Sequence, residues 1–119
     1  MNDRNQIDTQ ALARLDSIGG AAFVREMIEL FLADAPKRLQ AVRDAQAAGD
    51  LNAISEATHA LKSSARTLGS NQLHALASQI ESMTRFQHSE NLSALLDDLE
   101  QACRASCHLL ECEKQNYPR

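Results

Sequence analysis

The chain has 119 residues and a formal net charge of −4, and 44% of its residues are hydrophobic although only 3% are aromatic. This length fits one domain that can bury a core without disulfide or metal staples, and the shortage of aromatic residues favours helices over strands. The acidic balance argues against a nucleic-acid binder, which needs a concentrated basic surface.

Five helical segments are predicted, and the first two are separated by a pair of glycines. Asp8 is placed to cap a short helix through about Ser17, which ends at Gly19-Gly20. A longer helix then runs to Gly49, with a bend or break expected at Pro36 because proline removes a backbone donor. Its apolar positions recur at steps of three and four: Phe23, Met27, Leu30, Phe31, Ala35, Leu39 and Val42.

Three further helices follow in the second half of the chain. Gly49-Asp50 is typical of a helix end followed by an N-cap, which predicts a helix over 51–68 that stops at Gly69. The next apolar pattern covers about 71–83, and the last covers about 89–113. These boundaries leave only short connections between consecutive helices.

Long amphipathic helices joined by short turns predict an all-α fold. We expect an antiparallel up-down-up-down four-helix bundle with a short additional N-terminal helix. The bundle domain is predicted to span 7–113, between a flexible N-terminus at 1–6 and a flexible C-terminus at 114–119. Each large side chain that is fully buried in such a core contributes about 1.5 to 3 kcal/mol.

The location of the protein is suggested by its N-terminus and its cysteines. The first ten residues, MNDRNQIDTQ, are polar and lack the apolar segment of a secretion signal, and no run of about 18 or more apolar residues predicts a membrane span. The three cysteines, Cys103, Cys107 and Cys112, lie in one predicted helix and form a poor disulfide framework. We therefore expect a cytoplasmic protein with no direct membrane insertion.

His59 is predicted to face solvent. At about 100° per residue, it lies roughly 140° from the centre of the apolar arc of its helix. Ser55, Lys62 and Ser63 stand beside it at helical spacing, and Arg66 lies one turn further along. Taken alone, this polar face is also what an ordinary solvated surface would look like.

A register argument places a carboxylate next to this histidine. Two antiparallel helices joined at Gly69-Ser70 bring residues that are equally far from the turn to the same level. At a rise of about 1.5 Å per residue, a residue about ten positions from the turn lies about 15 Å from it. His59 is then level with Ile80 and Glu81. Glu81 lies to one side of the apolar stripe of its helix, together with His74, so its carboxylate can reach the imidazole if the two helices present adjacent edges.

A histidine, a lysine and a glutamate that lie together can form a site for nucleophilic chemistry. A free imidazole has a pKa of about 6.5, so it is mostly uncharged near pH 7 and is a good nucleophile. A carboxylate that accepts a hydrogen bond from Nδ1 fixes the tautomer and leaves Nε2 free to attack. The ammonium group of Lys62 could bind phosphoryl oxygens, whereas a convex helix face cannot enclose a small substrate.

The segment HALKSSARTLG, preceded by GDLNAISEAT and followed by SNQLHALASQIE, resembles the signature of histidine-containing phosphotransfer (HPt) domains of bacterial phosphorelays. That signature is close to His-x-Leu-Lys-Gly-Ser-Ser-x-x-x-Gly, and ADAPKRL at 33–39 is similar to the family's second helix. The resemblance implies that His59 is the phosphoacceptor, that Lys62 stabilises the phosphoryl group and that Glu81 orients the histidine. Ser63 replaces the family's frequent glycine, which bears on the choice of partner more than on the chemistry.

The resemblance further implies a phosphocarrier and not an enzyme. An aspartyl phosphate on a receiver domain would be attacked in line by the histidine and the group passed to a second receiver. This chain would bind no cofactor, with Mg²⁺ on the partner receiver domain, and would be a monomer. The partners would be receiver domains of response regulators or a hybrid sensor histidine kinase. From their positions near the histidine, Ser55, Ser63, Arg66 and His74 are the candidate contacts. For Arg66 ordinary surface charge, and for His74 a surface position near the turn, are the alternatives.

A different class of function remains open at this stage. The same bundle could be an interaction module that binds a receiver or a kinase without carrying phosphate. A hydrolase built on Ser63 and His59 is disfavoured, because a serine inside a helix has no free backbone donors for an oxyanion hole.

Metal binding is also disfavoured by the sequence. Glu56-x-x-His59 is half of a di-iron motif, but no second copy follows. Cys103, Cys107 and His108 could be ligands, yet Cys112 falls almost opposite the first two cysteines, and a structural zinc site needs convergent ligands. Inert thiols are the expected state.

Overall fold

The computed structural model describes residues 6–118, which form four α-helices and one short 3-10 helix. Helix α1 spans Thr9–Ala48, α2 spans Leu51–Leu68, α3 spans Asn71–Arg85 and α4 spans Leu92–Glu113. No strand occurs within the described range, so the predicted all-α class is confirmed. The predicted flexible N-terminus falls, except for residue 6, outside the described residues.

The ends of the first two helices follow from the residues predicted to cap them. The side chain of Asp8 accepts a hydrogen bond from the Gln10 amide at 3.0 Å, and that of Asp50 accepts one from the Ala53 amide at 3.0 Å. Gly49 and Gly69 end α1 and α2 in the left-handed conformation, with φ of 68° and 77°. These four capping positions are confirmed.

Helix α1 shows one of its two predicted interruptions. It continues through Pro36, where a bend or a break was expected, so no break occurs there. Its one non-helical residue is Gly20, with φ 86° and ψ 176°, which belongs to the glycine pair where the first helix was predicted to end. Proline keeps a helical φ and loses only one backbone donor, whereas Gly20 adopts a conformation that other residues avoid. Because α1 is continuous on both sides of this kink, a separate N-terminal helix stays a prediction.

The buried stripe of α1 differs from the predicted one in its first half only. Phe31, Ala35 and Val42 are buried as predicted, but Val24 and Ile28 take the buried positions expected for Phe23 and Met27, and Leu30 is 64% exposed. Neighbouring residues on a helix point about 100° apart. Leu30 therefore flanks the core instead of joining it.

The beginning of α4 is corrected as well. It starts at Leu92 and not at about Ser89, because Asn91 has a left-handed φ of 61° and cannot belong to a right-handed helix.

The four helices pack as a closed ring. Helix α1 contacts α2 and α4, and α3 contacts the same two helices. Within residues 6–118 the diagonal pairs, α1 with α3 and α2 with α4, have no backbone contact. The space enclosed by the ring is the core, whose largest fully buried side chains are Leu12, Ile28, Ile54, Leu61, Leu68, Leu73, Ile80, Leu96, Leu99 and Leu110.

The start of the chain is fastened to the α2–α3 turn. The Asp8 amide donates a hydrogen bond to the Gly69 carbonyl oxygen at 2.8 Å. A Cβ atom on residue 69 would lie 2.4 Å from the carbonyl oxygen of Asp8. Glycine is therefore required here both for its positive φ and for this close approach, which fixes the turn that sets the register of α2 against α3.

Residues 114–116, which the sequence assigned to a flexible end, form the 3-10 helix Lys114–Asn116 against α1 and α4. The guanidinium of Arg25 donates to the Lys114 carbonyl oxygen at 3.0 Å, and Tyr117 packs against the core. This part of the C-terminal segment is thus anchored to the bundle.

Candidate functional site

His59 lies on the outer face of α2, where its side chain is 60% exposed. The opposite face of the helix is in the core, as the apolar arc predicted, through Ile54, Leu61, Ala65 and Leu68. The N-cap at Asp50 and the stop at Gly69 hold α2 as an 18-residue helix with the histidine near its middle. The imidazole is therefore accessible to another protein.

Glu81 on α3 bridges the histidine and the lysine. Its Oε2 lies 2.7 Å from Nδ1 of His59, and its Oε1 accepts a hydrogen bond from Nζ of Lys62 at 2.5 Å. The Glu81 side chain is only 9% exposed, against 26% for Lys62. The structure thus brings together His59 and Glu81, which the register argument placed at one level, and Lys62, which helical spacing placed beside the histidine.

The electrostatics of Glu81 decide the tautomer of His59. Burial alone would raise the pKa of the Glu81 carboxyl, but the hydrogen bonds from Lys62 and His59 outweigh burial and hold its pKa below the ordinary value. Glu81 is then an ionised carboxylate, which can only accept hydrogen bonds. Nδ1 of His59 therefore carries the hydrogen, and in the neutral imidazole it is Nε2 that has the lone pair.

Nothing in the described part of the chain competes for that lone pair. Nε2 has no hydrogen-bond partner among residues 6–118. When the imidazole is neutral, the arrangement consequently offers one exposed ring nitrogen with a lone pair, and the buried carboxylate of Glu81 fixes the orientation of the ring. Such a nitrogen can act as a nucleophile toward a group presented from solvent.

The residues predicted to contact a partner surround the histidine at different depths. Ser63 and Arg66 are exposed on α2, and Ser55 is half-buried one turn before His59. His74 is half-buried on α3. Within the described chain none of these four side chains forms a hydrogen bond with the side chains of His59, Lys62 or Glu81. Their role in partner binding therefore stays a prediction.

A groove between α1 and α2 was missed by the sequence argument. Met27, Leu30 and Phe31 line it from α1, and Ser63 and Thr67 line it from α2. Since Ser63 is one helical turn from His59, the groove begins about one turn along α2 from the imidazole, which does not itself line the groove. The signal that could have revealed the groove is the number of apolar residues in α1. There are more of them than one buried face of the helix can accommodate.

Within residues 6–118, no cluster of three or more His, Cys, Asp or Glu side chains could hold a metal ion. In the same range no helix is long and apolar enough to cross a bilayer.

Residues 26–113 match the family model of the Hpt domain, and the chain belongs to that family. Among solved structures, the fold is similar to the crystal structure of histidine-containing phosphotransfer protein B (HptB) from Pseudomonas aeruginosa PAO1, with a TM-score of 0.87 and 23% sequence identity. The likeness covers 94% of this chain and 96% of that one. No curated protein matches the chain in sequence.

Proposed function

We propose that this protein is a phosphorelay intermediate that accepts a phosphoryl group on Nε2 of His59 and passes it on, acting as a phosphocarrier and not as an enzyme. Membership of the Hpt family supports phosphotransfer in general. The observation that carries the assignment to His59 is the hydrogen bond of Nδ1 to the buried carboxylate of Glu81. This bond places the hydrogen of the neutral ring on Nδ1, so that the lone pair is on Nε2, the nitrogen that is not bonded to Glu81.

The reaction would run in line at phosphorus. Nε2 attacks the phosphorus of an aspartyl phosphate on a receiver domain, an N–P bond forms, and the P–O bond to the aspartate breaks to leave a carboxylate. This chain contributes the fixed ring and its lone pair, while the receiver contributes Mg²⁺ and most of the charge stabilisation. Transfer of the phosphoryl group to the aspartate of a second receiver, by the reverse of this reaction, would restore the free histidine.

Lys62 would act both before and after the phosphoryl group arrives. In the resting protein its ammonium holds Glu81 at 2.5 Å, which keeps the carboxylate ionised and available to His59. Its side chain is a quarter exposed, on the same outer face of α2 as the histidine. A phosphoryl group that arrives on Nε2 brings negative charge to this face, which the ammonium can contact by a rotamer change.

The surface around His59 suits a protein partner. The groove lined by Leu30 and Phe31 gives an apolar contact beside Ser63, and Arg66 adds a positive charge that would complement the acidic phosphorylation pocket of a receiver. Receiver domains of response regulators, or of a hybrid sensor kinase, are the proposed donors and acceptors. We further infer a monomer in the cytoplasm, where its three free cysteines would stay reduced.

The proposed bundle is antiparallel and up-down-up-down. Pairs of contacts support this order: Arg25 bonds the carbonyl of Lys114, whereas Arg43, later in α1, bonds Asp97, earlier in α4. The contact of His59 with Glu81 across the turn at Gly69 is of the same kind.

The test is phosphotransfer from a labelled receiver. Wild-type protein and a His108→Gln control, altered at an exposed histidine on α4, should acquire an acid-labile label, and His59→Gln should acquire none. If wild-type protein stays unlabelled with every receiver of its source organism, or His59→Gln is labelled as fast as wild type, the proposal is wrong. Loss of labelling with full biological output in His59→Gln would instead identify a non-phosphorylated interaction module.

A further inference from the structure

The hydrogen on Nδ1 of His59 has a partner that does not depend on the phosphoryl group. Nδ1 lies 2.7 Å from Oε2 of Glu81, whereas Nε2, the proposed site of attachment, has no hydrogen-bond partner among residues 6–118. Because most of the His59 side chain is exposed, a group can attach to Nε2 without moving the ring. The bond between Nδ1 and Glu81 therefore stays in place when the phosphoryl group arrives.

The charge around Glu81 changes at the same moment. In the resting protein the carboxylate is paired with the ammonium of Lys62 at 2.5 Å, and the Glu81 side chain is only 9% exposed. The proposed function moves that ammonium toward the phosphoryl oxygens. A carboxylate that is so deeply buried is costly to leave without a cation beside it. The imidazole of His59, which is already bonded to this carboxylate, can supply the missing positive charge.

Beyond Lys62, no charged side chain of the two helices bonds to His59 or Glu81 within residues 6–118. The other titratable or charged side chains on α2 and α3 are Glu56, Arg66, His74 and Arg85. From α1, Asp34 lines the groove beside Ser63 and is paired with Arg38. Helix α4 has no backbone contact with α2 in the described part of the chain. The charge state of the ring is therefore controlled chiefly by Glu81.

We propose that Glu81 holds the Nδ1 hydrogen on the ring after phosphorylation, so that the phosphorylated protein carries a phosphoimidazolium cation paired with the Glu81 carboxylate. This inference rests on the proposed function and defines the chemical form in which the phosphoryl group is passed on. Glu81 is then a positioning residue for both transfers. It orients the free ring, and it holds the proton of the phosphorylated ring.

No proton enters or leaves the ring during the two transfers. The lone pair of Nε2 forms the N–P bond, the P–O bond to the aspartate of the receiver breaks, and its electron pair stays on the aspartate oxygen. Because Nδ1 keeps its hydrogen, the ring gains one positive charge. In the second transfer an aspartate oxygen of the next receiver attacks phosphorus, the N–P bond breaks, and its electron pair returns to Nε2. The departing group is neutral imidazole, with the hydrogen still on Nδ1.

The retained proton makes the ring a better leaving group. A phosphorylated ring that had lost the Nδ1 hydrogen would depart as an imidazolate anion, which is much more basic than neutral imidazole and leaves more slowly. By keeping the ring cationic, Glu81 favours transfer to the next receiver. It also shortens the lifetime of the phosphorylated state in water.

The experiment follows the ring nitrogens by NMR in protein that is phosphorylated on His59. One sample is phosphorylated by a receiver, and another by phosphoramidate, a small donor that needs no partner protein. Glu81→Gln keeps an oxygen that can accept a hydrogen bond from Nδ1 but removes the negative charge. Glu56→Gln is the matched control, because it removes an equal charge one helical turn from His59 and has no bond to the ring. Circular dichroism shows whether each variant is folded.

In phosphorylated wild type and Glu56→Gln, Nδ1 should keep its hydrogen to a pH about 1 unit or more higher than in phosphorylated Glu81→Gln, because the carboxylate stabilises the protonated ring. Phosphorylated Glu81→Gln should also hydrolyse several-fold more slowly at neutral pH. Loss of the Nδ1 hydrogen at neutral pH in phosphorylated wild type, or equal titration of the ring in wild type and Glu81→Gln, would overturn the inference and leave the proposed function intact.

The two phosphoryl donors separate this inference from the proposed function. If phosphoramidate labels His59 but no receiver does, the proposed function is contradicted, and the titration of the phosphoramidate sample still decides the charge state of the ring. Absence of label on His59 with both donors would contradict both proposals.

Discussion

Replacement of Glu81 by alanine tests the site most directly, because it removes both hydrogen bonds at once. Hydrogen bonds to charged groups each contribute about 1.5 to 3 kcal/mol. Lys62 is a quarter exposed and can return to water, so its bond contributes at the low end. After the cost of burying the carboxylate is subtracted, we expect a loss of about 2 kcal/mol in the free energy of unfolding, which lowers Tm by roughly 8 °C.

The effect on chemistry should exceed the effect on folding. Without the carboxylate, nothing fixes the hydrogen on Nδ1 of His59, and loss of such orienting partners typically costs about 10- to 100-fold in activity. Phosphotransfer from a labelled receiver, measured on protein kept well below its Tm, should slow by that factor in Glu81→Ala. Nitrogen NMR of the imidazole should show the ring shifting toward the Nε2–H tautomer.

Glu100→Ala is the matched control. Glu100 also accepts hydrogen bonds from two cationic side chains and has a lowered pKa, caused chiefly by Arg104 and Arg43, but it lies on α4. Its loss should reduce stability and leave phosphotransfer at the wild-type rate. If Glu81→Ala transfers phosphate as fast as Glu100→Ala and the tautomer of His59 is unchanged, the role assigned to Glu81 is refuted.

The remaining predictions concern pH, backbone and surface. Because the folded-state pKa of Glu81 is below its usual 4.5, its stabilisation is complete above that pH and is lost as pH falls through the lower value; the gap in urea stability between wild type and Glu81→Gln should therefore shrink below about pH 4.5, and a constant gap would contradict this. Gly69→Ala should lose about 1 to 2 kcal/mol or more from its left-handed φ alone, as measured by denaturant titration, with wild-type stability as the contrary result. Asp50→Ala should lose about 1 kcal/mol and Asp50→Asn much less, and equal losses would exclude capping as the cause. Leu30→Asp should fold normally, since Leu30 is 64% exposed, but should lower the second-order rate constant of phosphotransfer from a phosphorylated receiver by about fivefold or more; an unchanged rate constant would remove the groove from the docking surface.

Local features of the fold could be predicted because single residues determine them. The caps at Asp8 and Asp50 and the stops at Gly49 and Gly69 follow from side-chain hydrogen bonds and from a positive φ that glycine tolerates. The approach of Glu81 to His59 was predictable for a related reason: a tight turn fixes the register of the two helices that it joins.

Features that depend on tertiary packing could not be predicted in the same way. The sequence predicted an interruption at Gly19-Gly20 and another at Pro36, but it does not show that α1 continues through the proline. Leu30 and Ile28 are equally apolar, and only the placement of α2 and α4 decides that Ile28 is buried and Leu30 is not. The groove between α1 and α2 likewise exists only once the two helices meet.

The exposure of His59 has a consequence for the lifetime of the phosphorylated form that we propose. An imidazole that is 60% exposed on a convex helix gives an attached phosphoryl group no shelter from water. How long the phosphorylated state survives would then be set by the intrinsic lability of the N–P bond and by how soon a partner covers it. A phosphocarrier of this shape would leave the phosphoryl group exposed to water. Rapid binding of the next receiver domain, and not burial of the phosphohistidine, would then limit loss by hydrolysis.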